Sequence, residues 1–342
     1  MARRSKLRVV CNRLVESAPA LAGIVVVTFI LTRALPGDPA VYFAGPAATA
    51  ESIAQIRKSL GLDRSLPAQF VMYLDNLANG DLGQSISTGQ PVAAELMARL
   101  PASLELTLTA LLLSAAIAIP LGIVAATRPD SFVDHLCRFV TTAGVSLPTF
   151  FTGLALVYFF YYLLPLAPAP MGRLDVIFLP PPRLSGFYTL DALLAGDLAT
   201  FRAALAQLVL PAITLGLFTL APLARMTRGS MLSVLGSDFV RTARAAGLAG
   251  ATVLFTYAFR NALLPVVTTL GMVFSFTLGA NVLVEKVFAW PGIGSYAIAA
   301  LVVSDYAAVQ GFVLAMAILF VALNLLIDLV YTLIDPRIGM EG

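Results

Sequence analysis

Residues 103–126 read SLELTLTALLLSAAIAIPLGIVAA, a stretch whose only charge is Glu105. A membrane-crossing helix needs about 20 predominantly apolar residues, and this stretch meets that length. Moving outward from it, five more stretches of the same kind appear, at 14–32, 139–164, 205–224, 263–284 and 309–331. The expected fold class is therefore an all-α integral membrane protein with six transmembrane helices.

Composition agrees. The chain of 342 residues is 59% hydrophobic and only 12% charged, with a mean hydropathy of +0.88. A soluble domain carries about 25% charged residues, so charge here is crowded into the connections, the longest of which are 33–102, 165–204, 225–262 and 285–308. No soluble domain fits between the spans. The lipid bilayer is the solvent. The net charge of +3 is almost all arginine, with Lys6, Lys58 and Lys286 the only lysines, which argues against nucleic acid as a partner.

Basic residues favour cytoplasmic loops. Arg3, Arg4, Lys6, Arg8 and Arg13 precede the first span; with that end inside, Arg128, Arg138, Arg225, Arg228, Arg241, Arg244, Arg260 and Arg337 also fall inside. Both termini are then expected in the cytoplasm. A cleaved signal peptide is a poorer reading of the first span, because no small-x-small site follows and Arg33-Ala-Leu-Pro-Gly interrupts the exit. Cys11 and Cys137 lie on segments placed inside and read as free, structural thiols.

Several chemistries are excluded by counting. His135 is the only histidine, so an H-E-x-x-H zinc site lacks its second histidine, a Ser-His-Asp triad would have to be built around a residue in a short cytoplasmic loop, and His135 reads as a loop residue; no metal site is expected. No lysine follows a glycine, so the phosphate loop G-x-x-x-x-G-K-[ST] is absent. No cofactor is expected and the chain is not expected to be an enzyme. Glu16, Glu105 and Asp328 are the charges within or beside spans, and all three are read near helix ends. Pro120, Pro148, Pro211 and Pro222 remove backbone donors within spans, and Gly122, Gly144, Gly153, Gly216, Gly271 and Gly279 permit close helix contact. Such breaks suit either a transport path or ordinary kinked packing.

The connection 225–262 is too polar to span and too patterned for a linker. Ser237 or Asp238 is placed to cap a short helix through Arg244, and Gly247 to end it in the left-handed conformation. Phe239 and Ala243 are expected on one face, with Arg241 and Arg244 outward. A short surface helix tied at both ends to membrane helices can transmit a push from a partner.

With alanines before that glycine and Leu264-Pro265 downstream, Arg241-Thr-Ala-Arg-Ala-Ala-Gly247 resembles the cytoplasmic signature of the inner-membrane permease subunits of ABC importers, in the peptide and nickel branch. The likeness spans nearly the whole chain. Arg33-Ala-Leu-Pro-Gly-Asp-Pro39, Leu60-Gly-Leu-Asp63, Gly80-Asp-Leu-Gly83, Arg99-Leu-Pro-Ala-Ser-Leu-Glu-Leu106 and Glu285-Lys-Val-Phe-Ala-Trp-Pro-Gly-Ile-Gly294 resemble peptide-permease segments in the expected order. One segment departs: Leu248-Ala-Gly-Ala-Thr252 is uncharged where family members often carry charge.

The resemblance implies the type I importer permease fold in a bacterial inner membrane. It implies a cytoplasmic N-terminus (1–13), a first helix (14–32), a periplasmic loop with short helices (33–102) and a core permease domain (103–342). Its partners are a second homologous permease, two cytoplasmic ATPases and a periplasmic solute-binding protein. The 225–262 connection then becomes the ATPase-coupling loop, with Asp238, Arg241, Thr242, Ala243, Arg244, Gly247 and Leu248 as its contact segment. Ser146, Thr149, Ser275, Thr277 and Asn281 are polar positions on central spans and candidates for lining the pore. Within 285–308, Trp290, Pro291, Gly292 and Gly294 read as a re-entrant turn facing the receptor, and a structural lid is an equal reading. The solute class spans peptides, glutathione, nickel and metal chelates. An ion-coupled secondary carrier is the alternative, but it wants an inverted repeat and deep ion ligands that are not visible here. A membrane-embedded protease lacks a G-x-S-x-G, paired aspartates or a second histidine.

Overall fold

The structure, a computed structural model, describes residues 2–34, 38–45 and 47–334. Arg337 and residues Leu35, Pro36 and Gly37 of the first motif lie outside the described residues, as do the side chains of Arg3, Arg4, Lys6, Arg8, Cys11, Arg13 and Asp328. Among the described residues, five helices are long and apolar enough to cross a membrane: Glu16–Ala34, Val92–Thr127, Leu198–Leu235, Gly250–Val287 and Tyr306–Ile327. A bent pair, Phe132–Gly144 with Thr149–Leu163, makes the sixth span if it is counted as one. The chain is a multi-pass all-α membrane protein.

The stretch 139–164 was expected to be continuous and is not. Helix α6 (Phe132–Ser146) and helix α7 (Thr149–Leu156) meet at 104°. The cause is local: Leu147 is extended, at φ −108° and ψ 137°, because the ring of Pro148 disfavours a helical residue before it. Beyond α7 the chain continues in wide π turns through Val157–Leu163.

Contacts divide the chain into two compact units. One comprises Met1–Lys6, Ala102–Trp290 and Leu323–Gly342; the other comprises Leu7–Pro101 and Pro291–Ala322.

The first unit is organised around α9 (Leu198–Leu235), which packs against α6, α7, α8 (Tyr188–Leu194) and α12 (Arg260–Val287). Asp197 starts α9 by accepting from the amides of Ala199 and Thr200 at 3.1 and 3.0 Å. The helix continues through Pro211 and Pro222, and buried hydroxyls are satisfied within it: Thr214 donates to the Leu210 carbonyl and Thr227 to that of Leu223, each at 2.8 Å. The long helix α5 (Val92–Thr127) runs past α9 at Gly122, where a Cβ would lie 2.7 Å from Thr227 Cβ. Gly122 thus holds two spans at a distance no larger residue permits. At Gly279, by contrast, a Cβ would meet nothing within 4 Å.

The second unit contains helix α1 (Ala2–Ala34) from Leu7 onward and the short helices α2 (Pro39–Ala44), α3 (Ala50–Ser59) and α4 (Leu66–Ala78). It also holds the start of α5, all of α13 (Ile293–Val302) and α14 (Tyr306–Ile334) as far as Ala322. The short helices α2, α3 and α4 all fall within the 33–102 connection. Val92, Leu96, Ile293, Tyr296, Ala300 and Ala308 form its core. The carboxylate of Asp305, fully buried, is satisfied by the Ser85 hydroxyl at 2.7 Å and the Ser87 amide at 3.2 Å.

Candidate functional site

After α9 ends, Gly236 and Ser237 turn the chain into helix α10 (Asp238–Ala245). Ser237 occupies the N-cap, but its hydroxyl donates back to the Val234 carbonyl at 2.5 Å instead of accepting a first-turn amide. The far end closes as a Schellman turn. Leu248 N–H donates to the Ala243 carbonyl at 3.3 Å, and Gly247 N–H to the Arg244 carbonyl at 3.0 Å. Gly247 sits at φ +74°, the left-handed region, and a Cβ there would meet nothing within 4 Å. Glycine is needed at this position for its backbone, not for space.

The helix is amphipathic in a particular sense. Val240 and Ala243 are buried in one apolar cluster with Ile123 and Ala126 of α5, Met231 of α9, and Val253, Ala258 and Ala262 downstream. Phe239, expected to share the inner face with Ala243, is 44% exposed. Successive helical residues are 100° apart, so the buried direction falls between 240 and 243 and leaves 239 at its edge. Asp238, Thr242, Arg241, Arg244, Gly247 and Leu248 all face outward. Asp238 and Arg241 pair at 3.3 Å but remain almost fully exposed, so the pair adds little stability and both groups are free to meet a partner.

The root of this surface helix is braced from a second direction. Asp134 of α6, fully buried, accepts from Arg228 Nη2 of α9 at 2.9 Å, from Arg138 Nη2 at 2.7 Å and from the Asp130 amide at 3.0 Å. Arg228 lies on the last turns of α9 before α10 begins. Nothing in the sequence singled out Asp134 or Arg228, since each is one charge among several in a basic connection.

The residues considered for a pore do not share one surface. Ser146 is exposed and Thr149 half-buried on either side of the Leu147–Pro148 break, and the Ser146 hydroxyl is spent on the Thr142 carbonyl at 2.7 Å. Ser275 is half-buried and bonds the Gly271 carbonyl at 3.2 Å. Thr277 and Asn281 are both buried within the chain. Thr277 donates to the Val273 carbonyl at 2.6 Å, and Asn281 Nδ2 approaches the Ser103 carbonyl at 3.3 Å and Thr107 Oγ1 at 3.2 Å.

The Trp290 indole is 1% exposed and donates to the Ala102 carbonyl at 2.9 Å, so it anchors the turn. Pro291 is exposed, Gly292 caps α13 and Gly294 is buried. Glu105, read as lying near a helix end, is 13 residues into α5 and only 3% exposed. It pairs with Arg173 at 2.5 Å and accepts from the Thr189 amide and hydroxyl at 2.9 and 2.7 Å. A lone carboxylate in an apolar stretch is a usable signal, but its cation, 68 residues away in a loop, is visible only in the fold.

Residues 118–340 match the family described as binding-protein-dependent transport system inner membrane component, and residues 6–107 match the N-terminal family of the same membrane components. The chain is 45% identical to the probable D,D-dipeptide transport system permease protein DdpB of Escherichia coli over 322 residues, 94% of each chain. It is 40% identical over 333 residues to the di/tripeptide transport system permease protein DppB of Pseudomonas aeruginosa, covering 97% of this chain and 98% of that one. The dipeptide transport system permease protein DppB of Escherichia coli is 39% identical over 334 residues, with the same coverage.

Proposed function

This chain belongs to the inner membrane components of binding-protein-dependent transport systems, the non-catalytic permease subunits of ABC importers, and from that premise we propose that it forms half of a pore through which small peptides enter the cell. The other half is a homologous permease. Two ATPases bind the cytoplasmic face, and a periplasmic binding protein delivers the solute. In this reading the N-terminus, α10 and the C-terminus lie in the cytoplasm, 33–102 and 285–308 lie outside, and 103–342 is the core permease domain. Di- and tripeptides are the proposed solutes because the relatives above carry those names.

The observation that supports the coupling role is α10 itself. An eight-residue helix, fixed inward by Val240 and Ala243 and closed by Gly247, offers Asp238, Arg241 and Arg244 to a partner. Closure of the ATPases on ATP would displace this helix together with α9, to which it is joined by two residues. Coupling of this kind requires a contact whose energy differs between the two states. The uncharged 248–252 segment favours a contact on α10 over one beyond Gly247.

The test is uptake of labelled dialanine into proteoliposomes holding this permease, its neighbouring permease, both ATPases and the binding protein. Uptake should need ATP and every component, and should survive an ionophore. Uptake by this chain alone, or loss of uptake with the ionophore, would favour an ion-coupled carrier and overturn the proposal.

A further inference from the structure

Three of the family-like motifs have no part in the coupling machinery, and all three meet at one cavity. Arg33 and Pro39 from the first, Leu60, Gly61 and Leu62 from the second, and Asp81, Leu82 and Gly83 from the third line a cavity of about 450 Å³ inside the second unit. Gln69, Tyr73, Asn76, Gln84, Tyr306 and Gln310 add amides and phenols. Pockets of roughly 300–1,000 Å³ with a few converging polar groups are the usual form of a small-molecule site.

Arg33 is the only cation lining it among the described residues, and it is held in place with a donor left over. Its Nε donates to Gln69 Oε1 at 3.1 Å. Gln69 is in turn fixed by its own amide, which donates to the Arg64 carbonyl at 2.9 Å. The guanidinium carbon lies 4.6 Å from the centre of the Phe29 ring and 5.2 Å from that of Tyr306, so the plane is gripped by aromatic faces. Nη1 is buried and meets no acceptor among the described residues. The neighbouring carboxylate Asp38 is already engaged, by Arg57 and by the Ala40 amide. A buried guanidinium donor without an acceptor costs free energy, and guanidinium favours planar two-oxygen partners.

We propose that this cavity is an accessory binding site for a small carboxylate-bearing solute, with Arg33 receiving the carboxylate. Asp81, from the third motif, supplies the one negative charge among the described lining residues; its Oδ1 accepts from the Gly83 amide at 2.8 Å, and the carboxylate suits an ammonium. The pairing fits a zwitterion such as a free dipeptide. The peptide as ligand rests on the proposed function; the carboxylate chemistry at Arg33 does not.

The experiment uses the assembled transporter in nanodiscs without the binding protein, probed with dialanine and its C-terminal amide by saturation-transfer NMR. Dialanine should give a signal that the amide lacks. Arg33→Gln should weaken binding about tenfold or more, the loss of one hydrogen bond to a charged group, and Arg33→Lys should retain part of it. Thermal stability of each variant separates lost binding from lost folding. No signal from dialanine, equal binding of the amide, or undiminished binding by a folded Arg33→Gln variant overturns the site. If dialanine is silent and Arg33→Gln instead weakens docking of the binding protein, the carboxylate belongs to that protein and the small-solute site is likewise overturned. Uptake by the complete importer is read separately, so a failed cavity and a failed transport assignment give different results.

Discussion

Ser103 on α5 donates a 2.5 Å hydrogen bond to the carboxylate of Glu285 at the end of α12, across 182 residues of sequence. The same end of α5 receives two more contacts. Asn281 approaches the Ser103 carbonyl and Thr107, and Trp290 donates to the Ala102 carbonyl. Two motifs that look independent in the sequence, 99–106 and 285–294, are thus halves of one polar latch inside an apolar core.

Breaking this latch should cost stability before it costs anything else. Ser103→Ala removes a donor from a buried carboxylate, and Trp290→Phe leaves the Ala102 carbonyl without its indole partner. Each should destabilise by about 1–3 kcal/mol. Thermal unfolding of the purified protein in detergent reads this directly; a change below about 0.5 kcal/mol for both would show that the latch contributes nothing.

Gly247 tests conformation separately from space. Because a Cβ at this position meets nothing within 4 Å, Gly247→Ala should suffer only the left-handed backbone penalty, about 1–2 kcal/mol. Assembly should persist while uptake per ATP hydrolysed falls, and Gly247→Asn should be milder because asparagine tolerates this conformation. Equal coupling in wild type, Ala and Asn variants would remove the Schellman turn from the mechanism.

Asp134 should prove more sensitive than any exposed residue of α10. Removing one partner of a fully buried pair costs about 3–5 kcal/mol, and the cost is reduced here because Arg228 is 22% exposed. Asp134→Ala should therefore destabilise clearly, whereas Arg241→Ala, at 77% exposure, should leave the melting temperature within a degree or so of wild type and weaken ATPase binding. The ranking is checked by comparing melting curves with co-purification of the ATPases.

Acidification should loosen the turn before α8. Burial pushes the Asp191 carboxyl upward, but the Ser185 hydroxyl and the amides of Ser185, Gly186 and Leu184 outweigh it and hold the group below its ordinary value. A lowered folded pKa means that the contribution is present above the unfolded carboxyl pKa and is lost as pH falls through the folded value. Protection of the 184–186 amides, measured against their intrinsic exchange rate at each pH, should fall in acid, and Asp191→Asn should flatten that dependence.

Much of this protein was legible in its sequence because the bilayer imposes a simple rule: apolar runs of sufficient length must be helices. That rule located the spans around 103–126, and turn chemistry located α10 between Ser237 and Gly247. What failed was direction around a helix axis and partnership across the fold. Phe239 and Val240 differ by one residue and 100°, and packing against Met231 and Val253 decided which was buried. Thr277, Asn281 and Trp290 carry polar atoms that could have faced water, yet α5 supplied acceptors for two of them. Glu105 looked marginal until Arg173 closed on it, and Arg33, Leu60 and Asp81 became one cavity only in three dimensions. Helix existence depends on neighbours in the chain; burial, pairing and cavities depend on residues tens to hundreds of positions away, brought together only when the helices pack.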